Sequence, residues 1–163
     1  MSSSTLDPRA AVATGAGSGV GGGTTAVAED RPPREVELIL SALEAGAPAH
    51  DNRRRHPRMR YHVTAQLHLF SDTAAGNPPW TLYTRDISVR GVGFVTKHRL
   101  PLGYGGVVQL PSPSGQRVSV NGTLFRCREL SNGWFEGAMY FNREQWVFAA
   151  PDQAQTPETV SGR

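Results

Sequence analysis

Tyr61-His62-Val63-Thr64-Ala65-Gln66-Leu67-His68-Leu69 alternates apolar and polar side chains without a break. Neighbouring side chains of a β-strand point to opposite faces, so a period of two marks a half-buried antiparallel strand. Strand signals continue downstream. Residues 80–87 and 91–96 read as two strands joined by a turn at 88–90, while 106–110 and 117–120 flank the turn former Pro113-Ser114-Gly115. Residues 123–130 prolong the run. In the last strand, over 134–141, Phe135, Met139 and Phe141 share one face with Gly137 between them. Residues 71–79 read as a polar loop ending in Pro78-Pro79. About six short strands separated by turns at this spacing predict a small all-β barrel or sandwich.

Upstream of the first strand the period is 3.6 instead. Val36, Ile39, Leu40 and Leu43 fall on one helical face, Glu35 and Glu37 lie near the positive N-terminal end, and Gly46 and Pro48 are stop signals. This predicts a helix over 34–45, within a unit spanning 34–46. A helix that short is marginal alone in water, so its apolar stripe needs a surface to dock on. Residues 1–33 are rich in Ala, Gly, Ser and Thr, with six glycines between Gly15 and Gly23. They bury too little apolar area to offset the entropy of ordering and read as a flexible, disordered leader. Gly17-Ser18-Gly19-Val20-Gly21-Gly22 has the spacing of a dinucleotide-binding loop. No strand precedes it, no helix pattern follows and the lysine of a phosphate-binding loop is missing, so a linker explains it better. Residues 50–149 then form the barrel domain and 150–163 a disordered tail.

The 163 residues fit one folded domain. Net charge is +3, but five of the seventeen Lys and Arg residues fall within residues 53–60. So local a charge favours a small anion over a long nucleic-acid track. A single cysteine, Cys127, excludes an intramolecular disulfide and suits a reducing compartment. No signal-peptide run and no membrane-length apolar stretch stand out, so a soluble cytoplasmic protein without membrane insertion is expected. Enzyme chemistry is not expected: no nucleophile has a spaced base and no carboxylates cluster for metal-assisted phosphodiester chemistry. His50, His56, His62, His68 and His98 lack partners at a recognised metal spacing, and exposed strand positions explain His62 and His68 better.

Two short motifs carry the functional signal. Arg53-Arg54-Arg55-His56-Pro57-Arg58-Met59-Arg60 is a dense guanidinium cluster. A guanidinium is a planar fork of donors that never loses its charge, suited to phosphates and guanine edges. Asp86-Ile87-Ser88-Val89-Arg90-Gly91 is an acidic, hydroxyl and glycine turn. Each alone has a plainer reading, a solvated basic arm and an ordinary hairpin. Together, R-x-x-x-R at Arg54 and Arg58 followed by D-x-S-x-x-G at Asp86, Ser88 and Gly91 resembles the PilZ domain, a bacterial receptor module for cyclic di-GMP. The Gly115 hairpin and the closing Gly137-Ala138-Met139-Tyr140-Phe141 strand are similar to the family pattern as well, and the resemblance covers residues 50–142.

The resemblance implies a six-stranded antiparallel β-barrel with the arginine arm entering strand one, here preceded by a flexible segment and one short helix. It implies that Arg53, Arg54 and Arg58 grip the ligand and that Asp86 accepts the N1 and N2 protons of a guanine. Ser88 is implied as a donor to phosphate or base, and Gly91 as room for the ligand or for a positive φ. Arg85, Arg90 and Gly93 flank these as a second group. Arg53, directly before the motif, implies an intercalated pair of nucleotides. The implied function is a receptor whose arm closes over cyclic di-GMP and signals to a protein partner, with no cofactor. Asn52 departs from the acidic residue common before the arginines, and residues 143–148 allow only about two helical turns where many relatives carry a longer terminal helix. Helix 34–45 is expected to take that place. A PilZ-fold adaptor that binds a protein without nucleotide remains open. So does a small nucleic-acid-binding barrel, with Tyr61 and Tyr83 as the stacking candidates near the arm. Trp80, Trp134 and Trp146 are expected in core or barrel-end packing and Cys127 as an inert packing residue.

Overall fold

The structure, a computed structural model, describes residues 30–46 and 55–151. Its centre is a closed antiparallel barrel built from β2 (Thr64–Leu69), β3 (Trp80–Ser88), β4 (Gly91–Thr96), β5 (Gly105–Pro111), β6 (Arg117–Glu129) and β7 (Phe135–Phe141). Hydrogen bonds link them in the order β3, β2, β5, β6, β7, β4, and β4 pairs back onto β3. Closure removes the free edges that an open sheet exposes. A seventh strand, β1 (Met59–Arg60), lies on β3 in line with β2.

The period-two pattern fills this barrel. Leu67, Leu82, Phe94, Leu110, Leu124 and Met139 are at most 1% exposed and belong to one interior cluster. Each such side chain stabilises the fold by about 1.5–3 kcal/mol. Phe148, in a 3₁₀ turn at Trp146–Phe148, closes the cluster with its ring 6.0 Å from Tyr61 and 6.3 Å from Phe141.

Outside the barrel lies α1 (Arg34–Ala45), whose apolar stripe finds the surface it needs. Val36 and Leu40 are 2% and 0% exposed and pack with Val95 and Trp134, bordered by Tyr83 and Leu130. Polar interactions fix both ends of this helix. Lys97 sits 4.1 Å over the Trp134 ring and 3.6 Å from Glu35. Glu44 receives His62 at 2.8 Å and Arg60 at 3.2 Å. Ahead of the helix, Thr64 N–H donates to the Asp30 carbonyl at 2.6 Å, and Arg117 reaches the Asp30 carboxylate at 2.5 Å.

Several expectations are corrected. The strand expected to run unbroken to Leu69 is interrupted at residues 61–63, where the Thr84 hydroxyl receives Val63 N–H at 3.0 Å and donates to the Tyr61 carbonyl. Residues 117–120 and 123–130 are not two strands, because Asn121 and Gly122 stay in the ladder opposite Val107 and Gly106. The loop over 71–79 begins with a short helix, α2 (Phe70–Ala74), held where Thr73 donates to the Leu69 carbonyl at 3.0 Å and Trp80 Nε1 donates to Asp72 at 2.6 Å. Residues 143–148 form only the 3₁₀ turn named above, not two helical turns. Trp146 is 60% exposed and packs in no core, while Trp134 is buried beneath α1 rather than in the barrel. His62 is no solvated strand position, since Glu44 holds it. The expectations for residues 1–29, 47–54 and 152–163 lie outside the described residues.

Candidate functional site

Two β-bulges decide which side chains share one outer face of the barrel. The register of β3 against β4 shifts between Thr84 and Asp86, and that of β6 against β7 shifts between Leu124 and Arg126. A bulge opposes two consecutive residues to one on the partner strand, re-aiming a side chain. Arg85 and Asp86 therefore both reach the outer face, as do Phe125 and Arg126. Between the bulges the floor is small: Asp86, Gly93, Ala138 and Arg126 form one row across four strands. A Cβ on Gly93 would stand 3.0 Å from Asp86 Oδ1 and 3.1 Å from Arg85 Nη2. The Asp86 carboxylate thus lies over the one residue that leaves it room.

Charge is densely paired here. Arg58 Nη1 donates to Asp86 Oδ1 at 3.1 Å, and Arg85 Nε donates to Asp86 Oδ2 at 2.5 Å. The far end of Arg85 donates to Glu136, which also receives Arg126 Nη2 at 2.6 Å and Arg128 Nε. Glu136 is only 1% exposed. Burial by itself pushes its carboxyl pKa up, but the Arg128 hydrogen bond and the charges of Arg85 and Arg126 outweigh burial and hold it below the ordinary glutamate range. Burial likewise pulls the Arg85 guanidinium down, and Asp86 and Glu136 overcompensate, leaving it above the ordinary arginine value. Four guanidiniums share two carboxylates, so this face keeps two positive charges in excess.

The 88–91 turn borders this face. Ser88 is 4% exposed, and its hydroxyl accepts from Arg90 N–H at 3.3 Å and donates to the Gly91 carbonyl at 3.4 Å. The C-terminal segment braces the turn, with Gln145 N–H on the Val89 carbonyl at 2.7 Å and Phe141 N–H on the Arg90 carbonyl at 2.9 Å. Arg90 itself pairs with Glu144 at 3.4 Å, and His56 of the arm lies 3.9 Å from the same carboxylate. A cleft of about 570 Å³ beside Tyr61, Pro111 and Gln116 is lined by none of the motif residues among the described residues.

Residues 52–145 match the family model of the PilZ domain. The chain belongs to the PilZ domain family. Among the solved structures that resemble it are the following two. The inhibitor of motility MotI/DgrA from Bacillus subtilis is 14% identical with a TM-score of 0.47, covering 63% of this chain and 46% of that one. The PilZ domain of YcgR from Escherichia coli with c-di-GMP is 17% identical with a TM-score of 0.41, covering 61% of this chain and 82% of that one. The chain therefore spans about half the length of MotI/DgrA. No curated protein matches it. Among the described residues, no group of three or more His, Cys, Asp or Glu could hold a metal ion, and no helix is long and apolar enough to cross a membrane.

Within this PilZ domain the motif residues meet only in part. Arg58, Asp86, Gly93 and Arg85 converge, Ser88 and Gly91 adjoin them through the turn, and Arg90 is drawn to Glu144. Arg53 and Arg54 lie outside the described residues. Asp86, expected to accept the N1 and N2 protons of a guanine, holds two guanidiniums. Sequence reasoning missed Glu136, Arg126 and Arg128. A lone carboxylate in the largely apolar run of β7 was the available sign, but only the bulges reveal that it meets arginines from both neighbouring sides. Gly91 is also explained without a ligand: a Cβ there would stand 2.5 Å from the Met139 carbonyl oxygen. Gly91→Ala is therefore expected to lower the unfolding free energy by about 1–3 kcal/mol in ligand-free urea denaturation. An unchanged midpoint would show that β4 and β7 do not need the glycine to approach.

Proposed function

We propose that this PilZ domain is a cytoplasmic receptor for cyclic di-GMP that passes the binding event to a protein partner through its arginine arm, with no catalytic role. The observation that carries the reading is the Arg58–Asp86 pair, which joins the two motifs across 28 residues of sequence on a glycine floor. A carboxylate offers about four lone-pair positions, so Asp86 can take the N1 and N2 protons of a guanine while keeping part of its present pairing. Arg58 is released toward the O6 and N7 edge or a phosphate, the acceptors that a guanidinium fork fits. Arg53 and Arg54, five and four positions before Arg58 in the sequence, are two further guanidiniums that the motif assigns to the ligand. The two positive charges left over on this face match the two phosphates of the ligand. Arg53 also motivates two nucleotides per chain.

Calorimetric titration of cyclic di-GMP at fixed moderate salt tests this. The chain is expected to bind, and removing each bidentate arginine interaction in an Arg54→Ala, Arg58→Ala variant is expected to weaken binding by about ten- to hundredfold. Saturation at one nucleotide per chain would overturn the paired arrangement alone. Absence of heat from folded protein would overturn the receptor reading and favour the nucleotide-independent adaptor.

A further inference from the structure

The outer face built by β2, β5 and residues 118–125 of β6 carries no formal charge. Residues 61–71 hold no Asp, Glu, Lys or Arg, and residues 100–125 hold only Arg117, although such residues make up 19% of the chain. Arg117 stands at the start of β6, where Asp30 holds it at 2.5 Å. Alternation turns Leu67, Leu69, Val108, Leu110, Val120 and Leu124 into the barrel, so the residues between them point outward. The register sets these in rows. Gln66, Gln109 and Ser119 form one row, and His68, Val107 and Asn121 the next. Phe70 follows β2 and lays its ring over Gly105, where a Cβ would stand 3.1 Å from it, and Gly105 pairs with Thr123. With strands about 4.8 Å apart and residues of one face about 6.8 Å apart along each, the rows span about 10 by 14 Å. Leu102 and Tyr104 adjoin them at the entry to β5, where Gly103 N–H donates to the Leu124 carbonyl at 2.7 Å. Phe70, Leu102 and Tyr104 are 52%, 55% and 49% exposed, an apolar rim to a charge-free face. Aromatic residues together with a lack of charge distinguish the core of a protein interface from ordinary surface.

We propose that two copies of this chain associate through this face. At a two-fold axis each residue meets its own kind, so a charged patch there repels itself. The neutral face escapes that repulsion, whereas the motif face keeps guanidinium charge in excess. Its polar groups are also self-complementary. The amides of Gln66, Gln109 and Asn121 and the hydroxyls of Ser119 and Thr123 each donate and accept, so each can pair with an identical group. An anionic bilayer or a nucleic acid would find no cation here to hold it. In the ring of six strands β5 lies three places from β4, so the face looks away from Asp86 and Gly93. Helix α1, packed on Val95 and Trp134, stays clear of it too. Association therefore leaves both nucleotide faces and both helices outward, and it holds whether or not the chain is a receptor. A face of this extent falls short of the roughly 800 Å² per partner of a standard interface, so micromolar affinity is expected.

Sedimentation equilibrium of the full chain tests this. The mass is expected to rise from the 17.6 kDa of one chain toward twice that value between about 1 and 300 μM. Asn121→Lys sets like charges against each other in the interface and is expected to weaken association at least about tenfold. Leu38→Lys, on the exposed side of α1, is expected to leave it unchanged. Circular-dichroism melts establish that each variant folds, and Ser119→Lys takes the place of Asn121→Lys if that one does not; both positions are exposed. A chain that stays monomeric up to about 300 μM overturns the proposal and leaves the face to a different protein or to residues of this chain outside the described ones. A dimer that persists in the folded Asn121→Lys or Ser119→Lys variant, or that Leu38→Lys alone dissociates, overturns it as well by placing the contact elsewhere.

Discussion

Replacing Leu40 with alanine is expected to destabilise the whole domain by about 3 kcal/mol. Leu40 is fully buried although it belongs to a helix outside the barrel. Its methyl groups lie in a cluster with Val95 and Trp134, side chains on the outer face of β4 and at the start of β7. A three-turn helix has little stability of its own, so emptying this cluster removes the reason for α1 to form. Because Val95 and Trp134 then face water, the loss falls on the barrel as well. Urea denaturation followed by tryptophan fluorescence checks this, with Leu38→Ala as the control. Leu38 is 66% exposed and its replacement is expected to stay within about 0.5 kcal/mol. A Leu40→Ala midpoint equal to the control would mean that α1 is not part of the cooperative unit.

Removing the Glu136 carboxylate is expected to cost about 3 kcal/mol, the lower end for breaking a buried ion pair. Arg126 and Arg128 are 44% and 62% exposed and can turn to water, so their share is small. Arg85 is different: its side chain is 16% exposed, and without Glu136 it keeps only Asp86. Glu136→Ala leaves that guanidinium half-satisfied beneath the surface. The same pairing sets a pH dependence. The folded-state pKa of Glu136 is depressed, so its stabilisation is fully present above the unfolded value of about 4.3 and is lost as pH falls through the folded value. Melting temperatures of the parent chain are expected to fall more steeply below about pH 5 than those of Glu136→Ala, on the ordinary glutamate scale. Parallel acid profiles would show that the three arginines do not hold the carboxylate ionised.

The alternating stretches made the barrel legible. Tyr61 to Leu69 and Phe135 to Phe141 carry the period of two that places Leu67, Met139 and Phe141 inside, and Val36 to Leu43 carry the period of 3.6 that forms α1. What stayed hidden was the exceptions to period. Phe125 and Arg126 occupy one face only because β6 takes an extra residue against β7, and Arg85 joins Asp86 by the same device on β3. Nothing in those residue types announces a bulge. The site was legible in Arg58 and Asp86, since both motifs flag them, but the carboxylate at Glu136 and its guanidinium ring arise from long-range strand order. A short motif cannot encode that. The unpredicted break at residues 61–63 has a similar origin, because the group that occupies it, the Thr84 hydroxyl, comes from another strand.

That break divides one lane of the sheet into two units of unequal strength. β2 is secured along both of its edges, by β3 and by β5, whereas β1 holds to β3 through the two registered pairs at Met59 and Arg60. Local opening follows the number of interactions that must be given up together. Residues 55–60 can therefore detach as a sub-global unit while the ring of six strands stays shut, with Thr84 already satisfying the amide and carbonyl groups that a continuous strand would have to surrender. Opening of residues 55–60 would thus cost the Arg58–Asp86 pair and the two registered pairs of β1 while leaving the barrel's interior cluster as it is.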